Sequence, residues 1–383
     1  MGLGCRECRR AVEDWVVIVS LVSLVFFSRL LAAQTTPADF PDVSAKASAA
    51  REANDVPKAI DLYQQALKLN PQWPEGWWYL GSLQYGAGAY DVSRDALSHY
   101  LELTPNAPAA LAMRGLCEFE TADYAQSLKD IQRALSLGAA NQPRNEKILR
   151  YHESLLLART GNFEDALRSY GFFAHDEDSN PELLLALGLA GLRVPLLPRE
   201  LKADQQEMYI AAGKAAFDFL KGDKETAKGE FQRFFEQFPA AVNAHYLYGY
   251  LLYPTDVDAG SAEFKRELQV APSNATAEAM LAWILLLQNR APEALSYAKN
   301  AAIHDPELPS AQLVFGRALT ETGDPKLGLE HLTRALALQP DNLEIHLALA
   351  RAYSETGKKD DARRERLLCL EMTKNDAILA PRQ

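Results

Sequence analysis

A 34-residue period constrains this chain of 383 residues more than any other feature of its sequence. Pro71 and Pro105 lie one period apart, as do Pro306 and Pro340, and small residues recur at matching offsets between them. Such self-similarity is typical of chains in which one supersecondary unit is repeated and each copy packs on its neighbours. We therefore expect one elongated core of stacked units, instead of the separate globular domains that the length alone would indicate.

The stretch 74–105 is the clearest copy of the unit. Trp77 and Gly81 predict a first helix that carries a large anchor and, one turn later, a small residue against which a second helix can pack closely. Gly88 is expected to turn the chain, and Leu97 is expected to lie in the core between the two helices. The pattern predicts a helix-turn-helix unit.

This unit resembles the tetratricopeptide repeat (TPR), a helix-turn-helix motif with the pattern W-x2-L-G-x2-Y, then A-x3-F, then P. Trp77-x-x-Leu80-Gly81 and Pro105 match the opening and the end of that pattern. The departures from it are Gln84, Ser93 and Tyr100. The resemblance covers about residues 40–371 and implies an all-α fold, an α-α superhelical solenoid of about nine helix-turn-helix TPR-like repeats.

The register of the repeats suggests a division of the chain. The segment Val194-Pro195-Leu196-Leu197-Pro198 holds two prolines and cannot continue a helix, so the helix predicted at 181–193 is expected to lack a proper second-helix partner. The predicted segments are a signal peptide or N-terminal anchor at 1–33, a linker at 34–42, an N-terminal TPR sub-solenoid at 43–193, a repeat break or hinge at 194–207, a C-terminal TPR sub-solenoid at 208–371 and a tail at 372–383.

Residues 1–33 have the pattern of an export signal. Basic residues, among them Arg6 and Arg10, precede an apolar run at 15–27, and Ala32-Ala33 lie directly before Gln34. Cleavage after Ala33 would deliver the repeats to a periplasmic or extracellular location. The alternative is an uncleaved segment at 15–33 that tethers the repeats to the membrane on the same outer side.

Composition and motifs argue against several classes of protein. Hydrophobic residues make up 48% of the chain, which is enough to form a core, and a formal net charge of -11 without a run of Lys and Arg argues against binding nucleic acid. The sequence has no HExxH, GxSxG or Gly-rich phosphate loop, so we expect no enzyme, no cofactor and no metal site. Cys5 and Cys8 form a CxxC without a second pair, while Cys117 and Cys369 are expected to be buried thiols.

The resemblance implies a non-catalytic TPR scaffold that binds a protein or peptide partner outside the cytoplasm through its concave groove. Two alternatives stay open at this point. The first is a binding protein for an extended glycan or lipid ligand in the cell envelope, which aromatic residues in the groove would suit. The second is an accessory subunit of an enzyme, or an enzyme without a recognisable motif.

In TPR stacks a fixed set of first-helix positions lines the groove, which gives candidate contact residues in this chain. Tyr246, Tyr250 and Tyr253 recur at i, i+4 and i+7 and so share one helical stripe, which makes them the leading candidates. Arg159 and Arg193 fall on the same face. The predicted groove residues are Trp78, Tyr85, Phe119, Tyr151, Tyr246, Tyr250, Tyr253, Trp283, Arg317 and Arg351.

Overall fold

The computed structural model describes residues 39–139, 143–175 and 180–379. Within these ranges the chain forms 19 α-helices, three short 3-10 segments and no β-strand, which confirms the predicted all-α repeat fold. The predicted signal peptide or anchor at 1–33 and most of the predicted linker lie outside the described residues, as do Cys5 and Cys8. Those predictions remain predictions.

The described chain divides into two compact units. Unit 1 holds the described residues up to 175 together with Val194–Glu200, and unit 2 holds residues 180–193 and 201–379. Helices pair in chain order in unit 1, α1 with α2 and so on to α7 with α8. Its helices are α1 Phe40–Glu52, α2 Val56–Leu69, α3 Pro74–Gly86, α4 Tyr90–Leu103, α5 Pro108–Glu120, α6 Tyr124–Ser136, α7 Pro143–Arg159 and α8 Phe163–Tyr170.

Unit 2 begins with a group of three helices and continues with four pairs. In the group, α10 contacts both α9 and α11, and the later helices then pair as in unit 1. The helices are α9 Pro181–Gly191, α10 Glu207–Leu220, α11 Lys224–Gln237, α12 Ala244–Leu252, α13 Val257–Val270, α14 Ala275–Leu287, α15 Ala291–His304, α16 Pro309–Glu321, α17 Pro325–Leu338, α18 Leu343–Glu355 and α19 Lys359–Leu379.

The pair α3–α4 shows how the repeated residues build the unit. Leu97 is fully buried, and a Cβ placed on Gly81 would lie only 2.9 Å from its Cγ, so the small residue is what allows the two helices to pack closely. Gly88 turns the chain with φ at 76°, as the sequence predicted. The hydroxyl of Ser93 donates to the carbonyl oxygen of Gly81 at 2.8 Å, so this departure from the TPR pattern adds a hydrogen bond between the paired helices.

The ends of the repeat region differ from the predicted ends. Helix α1 begins at Phe40, inside the predicted linker, because Pro41 is compatible with the first turn of a helix. Helix α19 runs to Leu379, through most of the predicted tail, since no Gly or Pro interrupts the sequence before Pro381.

The expectation that α9 lacks a partner was wrong. Helix α9 packs against α10, which follows it only after the long connection 192–206. Gly188 of α9 and Gly213 of α10 face each other so closely that a Cβ on Gly188 would lie 3.0 Å from the backbone nitrogen of Gly213. Two glycines therefore let the helix backbones touch, and the second helix of this repeat is displaced along the sequence instead of missing.

The described units also differ from the predicted division of the chain. Residues 181–193 belong to unit 2 because α9 packs on α10, whereas Val194–Glu200 belongs to unit 1. A left-handed backbone at Arg193, with φ at 59°, precedes the irregular segment, which contains 3-10 segments at Pro198–Glu200 and Ala203–Gln205. Whether 194–207 acts as a hinge stays a prediction.

Candidate functional site

Three neighbouring first helices of unit 2 carry a connected row of side chains: α14 contacts α16, and α16 contacts α18. The guanidinium of Arg317 lies 5.3 Å from the centre of the Trp283 ring, a cation–π contact. The Nε of Arg317 donates to Oε1 of Glu321 at 2.9 Å, and Nη1 of Arg351 donates to the same oxygen at 2.8 Å. We call Trp283, Arg317, Glu321 and Arg351 the arginine ladder.

The ladder combines a shielded anchor with an exposed cation. The side chain of Glu321 is only 7% exposed, so the carboxylate that pairs with both guanidinium groups is itself shielded from bulk water. Arg351 keeps 55% of its side chain exposed. Two cations and one carboxylate leave the ladder one positive charge on a chain whose formal net charge is -11.

The repeat pattern predicted three of the four ladder residues but not Glu321. Arg317 and Arg351 are one repeat period apart, which placed them on the same face. Glu321 follows Arg317 by four residues, a spacing at which opposite charges meet on a helix, so a charge-pair search could have found it. Its second bond, to Arg351, crosses to the next repeat and has no local sequence signal.

A pocket of about 530 Å³ opens beside the helix that carries Trp283. Ile284 and Leu287 of α14 contribute apolar surface, and Leu287 is 50% exposed. Asp256 and Asp258 stand at the beginning of α13 on the other side, which gives the pocket an acidic edge. The remaining lining residues are Tyr253, Thr255, Val257 and Gln288.

Four of the predicted groove residues are buried and present almost no surface to a partner. Tyr246 is 2% exposed and packs with Phe264, and the Phe119 ring makes an edge contact with the ring of His152 on the next first helix, α7. These rings are large enough to reach neighbouring helices, so they join the core instead of lining an open face. The buried four are Trp78, Tyr85, Phe119 and Tyr246.

The other predicted residues keep part of their surface. Tyr250 and Tyr253 pack partly against the core around Tyr246, so the stripe of three tyrosines is split between core and surface. Tyr151 makes an edge contact with Phe173 in unit 1. Arg193 lies with its guanidinium 5.3 Å from the Tyr246 ring in unit 2.

One buried carboxyl group in unit 1 has a strongly shifted pKa. Glu118 is 3% exposed, and its Oε2 has no hydrogen-bond partner among the described residues. Arg114 is nearby but gives two hydrogen bonds to Asp130, at 2.5 and 3.0 Å. Burial, and then the charge of Asp130, raise the pKa of Glu118 to about 8.

The raised pKa of Glu118 makes stability depend on pH. Because the folded protein holds this proton more tightly than the unfolded chain does, the contribution to stability is complete below the ordinary pKa of a glutamate and is lost as pH rises through about 8. Glu118 lies on α5 opposite Asp130 of α6, which is a position between paired helices. A packing position of this kind points to a structural group and not to a catalytic acid.

The described residues show neither a metal site nor a membrane-spanning helix. Across residues 39–139, 143–175 and 180–379, no group of three or more His, Cys, Asp or Glu could hold a metal ion. No helix in the described part of the chain is both long enough and apolar enough to span a membrane. Cys117 and Cys369 are free and buried, as the sequence predicted, and burial raises the pKa of the Cys117 thiol to about 12.

Comparison with protein families assigns the repeat. Tetratricopeptide repeat models match residues 44–108, which contain all of α2, α3 and α4, and residues 319–365, which contain all of α17 and α18. The chain contains tetratricopeptide repeats. The helix pairs around the matched spans repeat the same packing, so the TPR architecture accounts for the repeat in both units.

One relative among characterised proteins aligns with most of this TPR protein. It is 23% identical over 343 residues to the Cellulose synthase operon protein C of Pseudomonas fluorescens (strain SBW25). The alignment covers 82% of this chain and 26% of that protein, so the chain spans about a quarter of the length of its relative.

Several solved structures share part of the repeat. The MamA protein gives a TM-score of 0.37 at 15% identity, covering 46% of this chain and 97% of that one. YrrB, described as a TPR protein with an unusual peptide-binding site, gives 0.37 at 16% identity, covering 48% and 94%. PilW, described as a widely conserved type IV pilus biogenesis factor, gives 0.39 at 22% identity, covering 44% and 79%. Likenesses of this degree say nothing about the partner of this chain.

Proposed function

We propose that this TPR protein is a non-catalytic scaffold that binds a protein or peptide partner through the arginine ladder of unit 2. The carrying observation is that Trp283 contacts Arg317 through its ring and that Arg317 and Arg351 share one carboxylate, which connects three adjacent first helices. Trp and Arg are over-represented among the residues that dominate binding energy at protein interfaces. Because Glu321 already fixes both guanidinium groups, the ladder would lose little side-chain entropy when a partner binds.

The chemistry of the ladder suggests which groups the partner presents. Arg351 is the exposed cation, so a carboxylate of the partner is the complementary group, either from an acidic side chain or from a chain terminus. The pocket beside Leu287 would accept a side chain with an apolar body and a hydrogen-bond donor at its tip. The apolar body would contact Leu287, and the donor would meet the acidic edge. An extended peptide that carries a carboxylate and such a side chain can reach both the arginine ladder and the pocket, since each includes residues of α14.

We place this function outside the cytoplasm on the basis of the pattern in residues 1–33. The mature N-terminus should then begin at Gln34, which mass spectrometry of the secreted or periplasmic protein can check. Recovery of an intact segment 1–33 from the membrane fraction would instead support the tethered form.

Affinity capture from an envelope extract tests the proposal. Wild-type protein should enrich a protein partner, and both Trp283→Ala and Arg351→Glu should weaken its binding by roughly 1–3 kcal/mol, which titration with the purified partner can measure. Arg290→Glu is the matched control, because Arg290 forms an exposed ion pair with Glu293 in the same unit and lies outside the ladder.

Two results would count against the ladder. Unchanged partner binding by both ladder variants, with circular dichroism spectra like the wild type, would place the partner elsewhere. Equal loss of binding in the Arg290 control would show that overall charge, and not the ladder, is responsible. Retention of an envelope glycan or lipid with no protein enriched would favour the alternative ligand class.

A further inference from the structure

A seven-residue segment of the chain packs with unit 1 although the chain on both sides of it belongs to unit 2. We call Val194–Glu200 the strap. Its sequence, Val-Pro-Leu-Leu-Pro-Arg-Glu, contains two prolines, and it is irregular up to a 3-10 segment at Pro198–Glu200. Proline restricts the unfolded chain, so a segment of this kind loses less entropy than most when it is held against a surface.

Leu197 of the strap is only 1% exposed, and Arg199 is the charged anchor that binds the end of first helix α5. Its guanidinium lies 4.9 Å from the centre of the Phe119 ring, and its Nη1 donates to Oε2 of Glu120 at 3.0 Å. Phe119 is 5% exposed with the strap in place. The aromatic ring of Phe119 and the carboxylate of Glu120, both on α5, thus form a small site for a guanidinium group.

A second first helix, α7, contacts the strap near both of its ends. Arg159, the last residue of α7, donates to the carbonyl oxygen of Pro195 and has its Nη2 3.6 Å from Oε1 of Glu200. The same guanidinium lies 5.1 Å from the centre of the Tyr124 ring, which helps to fix its position. A backbone carbonyl and an arginine four residues later are therefore held by two consecutive first helices.

We propose that this face of unit 1 is a binding site for an extended, arginine-bearing peptide of a partner protein, and that the strap occupies the site in cis. The contacts of the strap are a cation–π contact, an ion pair and a hydrogen bond to a backbone carbonyl, all of which a separate peptide can make. A partner must displace the strap. The apparent affinity of the partner is therefore its intrinsic affinity multiplied by the fraction of molecules in which the strap has left the site. The inference does not rest on the arginine ladder, which lies in unit 2.

The probe for this site is a fluorescein-labelled peptide with the sequence of residues 194–200, followed by fluorescence polarisation with the full chain. Arg199→Ala removes the guanidinium that fills the site in cis and leaves Phe119 and Glu120 unchanged, so this variant should bind the peptide about tenfold more tightly than wild type. Adding Glu120→Gln to that variant should remove most of the gain. Adding Asp91→Asn, which affects an exposed ion pair with Arg94 in the same unit, should leave the gain intact.

The arginine of the peptide provides the specificity control. For a peptide with alanine in place of its arginine, none of the variants should show tighter binding than the wild-type protein does. The proposal would be overturned if Arg199→Ala, with an unchanged circular dichroism spectrum, bound the native peptide no more tightly than wild type does. It would also be overturned if the double variant Arg199→Ala/Glu120→Gln bound the native peptide as tightly as Arg199→Ala alone.

A measurement on the unmodified protein keeps the test independent of how the variants fold. The amide of Leu197 donates to Oε2 of Glu200 at 2.7 Å within the strap. Excess native peptide should accelerate hydrogen exchange at this amide in wild type, because it competes the strap off unit 1. Exchange that does not respond to the native peptide, or that responds equally to the alanine peptide, would contradict a site for an arginine-bearing segment.

Discussion

Replacement of Gly188 by alanine should separate α9 from α10, and its cost can be worked out from the contact between the two helices. A Cβ at this position would overlap the carbonyl group of Tyr209, lying 2.6 Å from the carbonyl carbon, about 1 Å inside an ordinary contact between carbon atoms. The obstructing atoms belong to the backbone, so no side chain can rotate away. The helices themselves must move apart.

The expected net cost is about 2 kcal/mol of unfolding free energy. Overpacking a close contact typically costs about 1–3 kcal/mol, and a rigid backbone obstacle places this variant near the upper end. Alanine is better than glycine inside a helix by about 1 kcal/mol, which offsets part of that cost. Gly229→Ala is the matched control, since its nearest contact is a side-chain atom of Arg233 at 3.9 Å, and it should be stabilising by up to about 1 kcal/mol.

Urea denaturation followed by circular dichroism measures the overall effect, and hydrogen exchange locates it. Repeat arrays can unfold in parts, so the amides of α9 and α10 should lose protection before the others do. A Cβ in Gly213→Ala would overlap the carbonyl group of Leu184 on α9. The double variant should cost less than the sum of the two single ones, because the first substitution has already separated the helices. Wild-type protection of α9 and α10 in Gly188→Ala would refute the close backbone contact.

Two further predictions concern unit 1. Glu118→Gln should leave stability near pH 5 almost unchanged and make the protein more stable than wild type by about 2–4 kcal/mol at pH 9, because only the wild type must then ionise a buried carboxyl group. Urea titrations at both pH values test this, and parallel pH curves would contradict it. Brief trypsin digestion should cut after the exposed Lys202 before it cuts after Arg199, which Glu120 holds. Mass spectrometry of the first fragments decides, and an equal rate at both sites would show that the strap is not held.

The sequence determined the fold class because the repeat is a local pattern. The helix pair, the close packing of Leu97 on Gly81 and the turn at Gly88 all depend on residues within one unit of 34, and the structure reproduces each of them. Each 34-residue repeat contacts mainly its neighbouring repeats, so predicting the fold of one repeat also predicts how the repeats stack. The same regularity placed Trp283, Arg317 and Arg351 on one face.

Tertiary structure decided what the periodic pattern could not express. The partner of α9 lies beyond an insertion that breaks the register, and only the facing Gly188 and Gly213 reveal the pairing. Arg199 binds Glu120, a residue 79 positions earlier, and no local spacing encodes such a contact. Large rings at predicted groove positions became core, as Tyr246 did, because burial depends on how near the next repeat lies. Sequence periodicity fixes which face a residue takes, whereas the distance to the neighbouring helix determines whether that face is open to a partner.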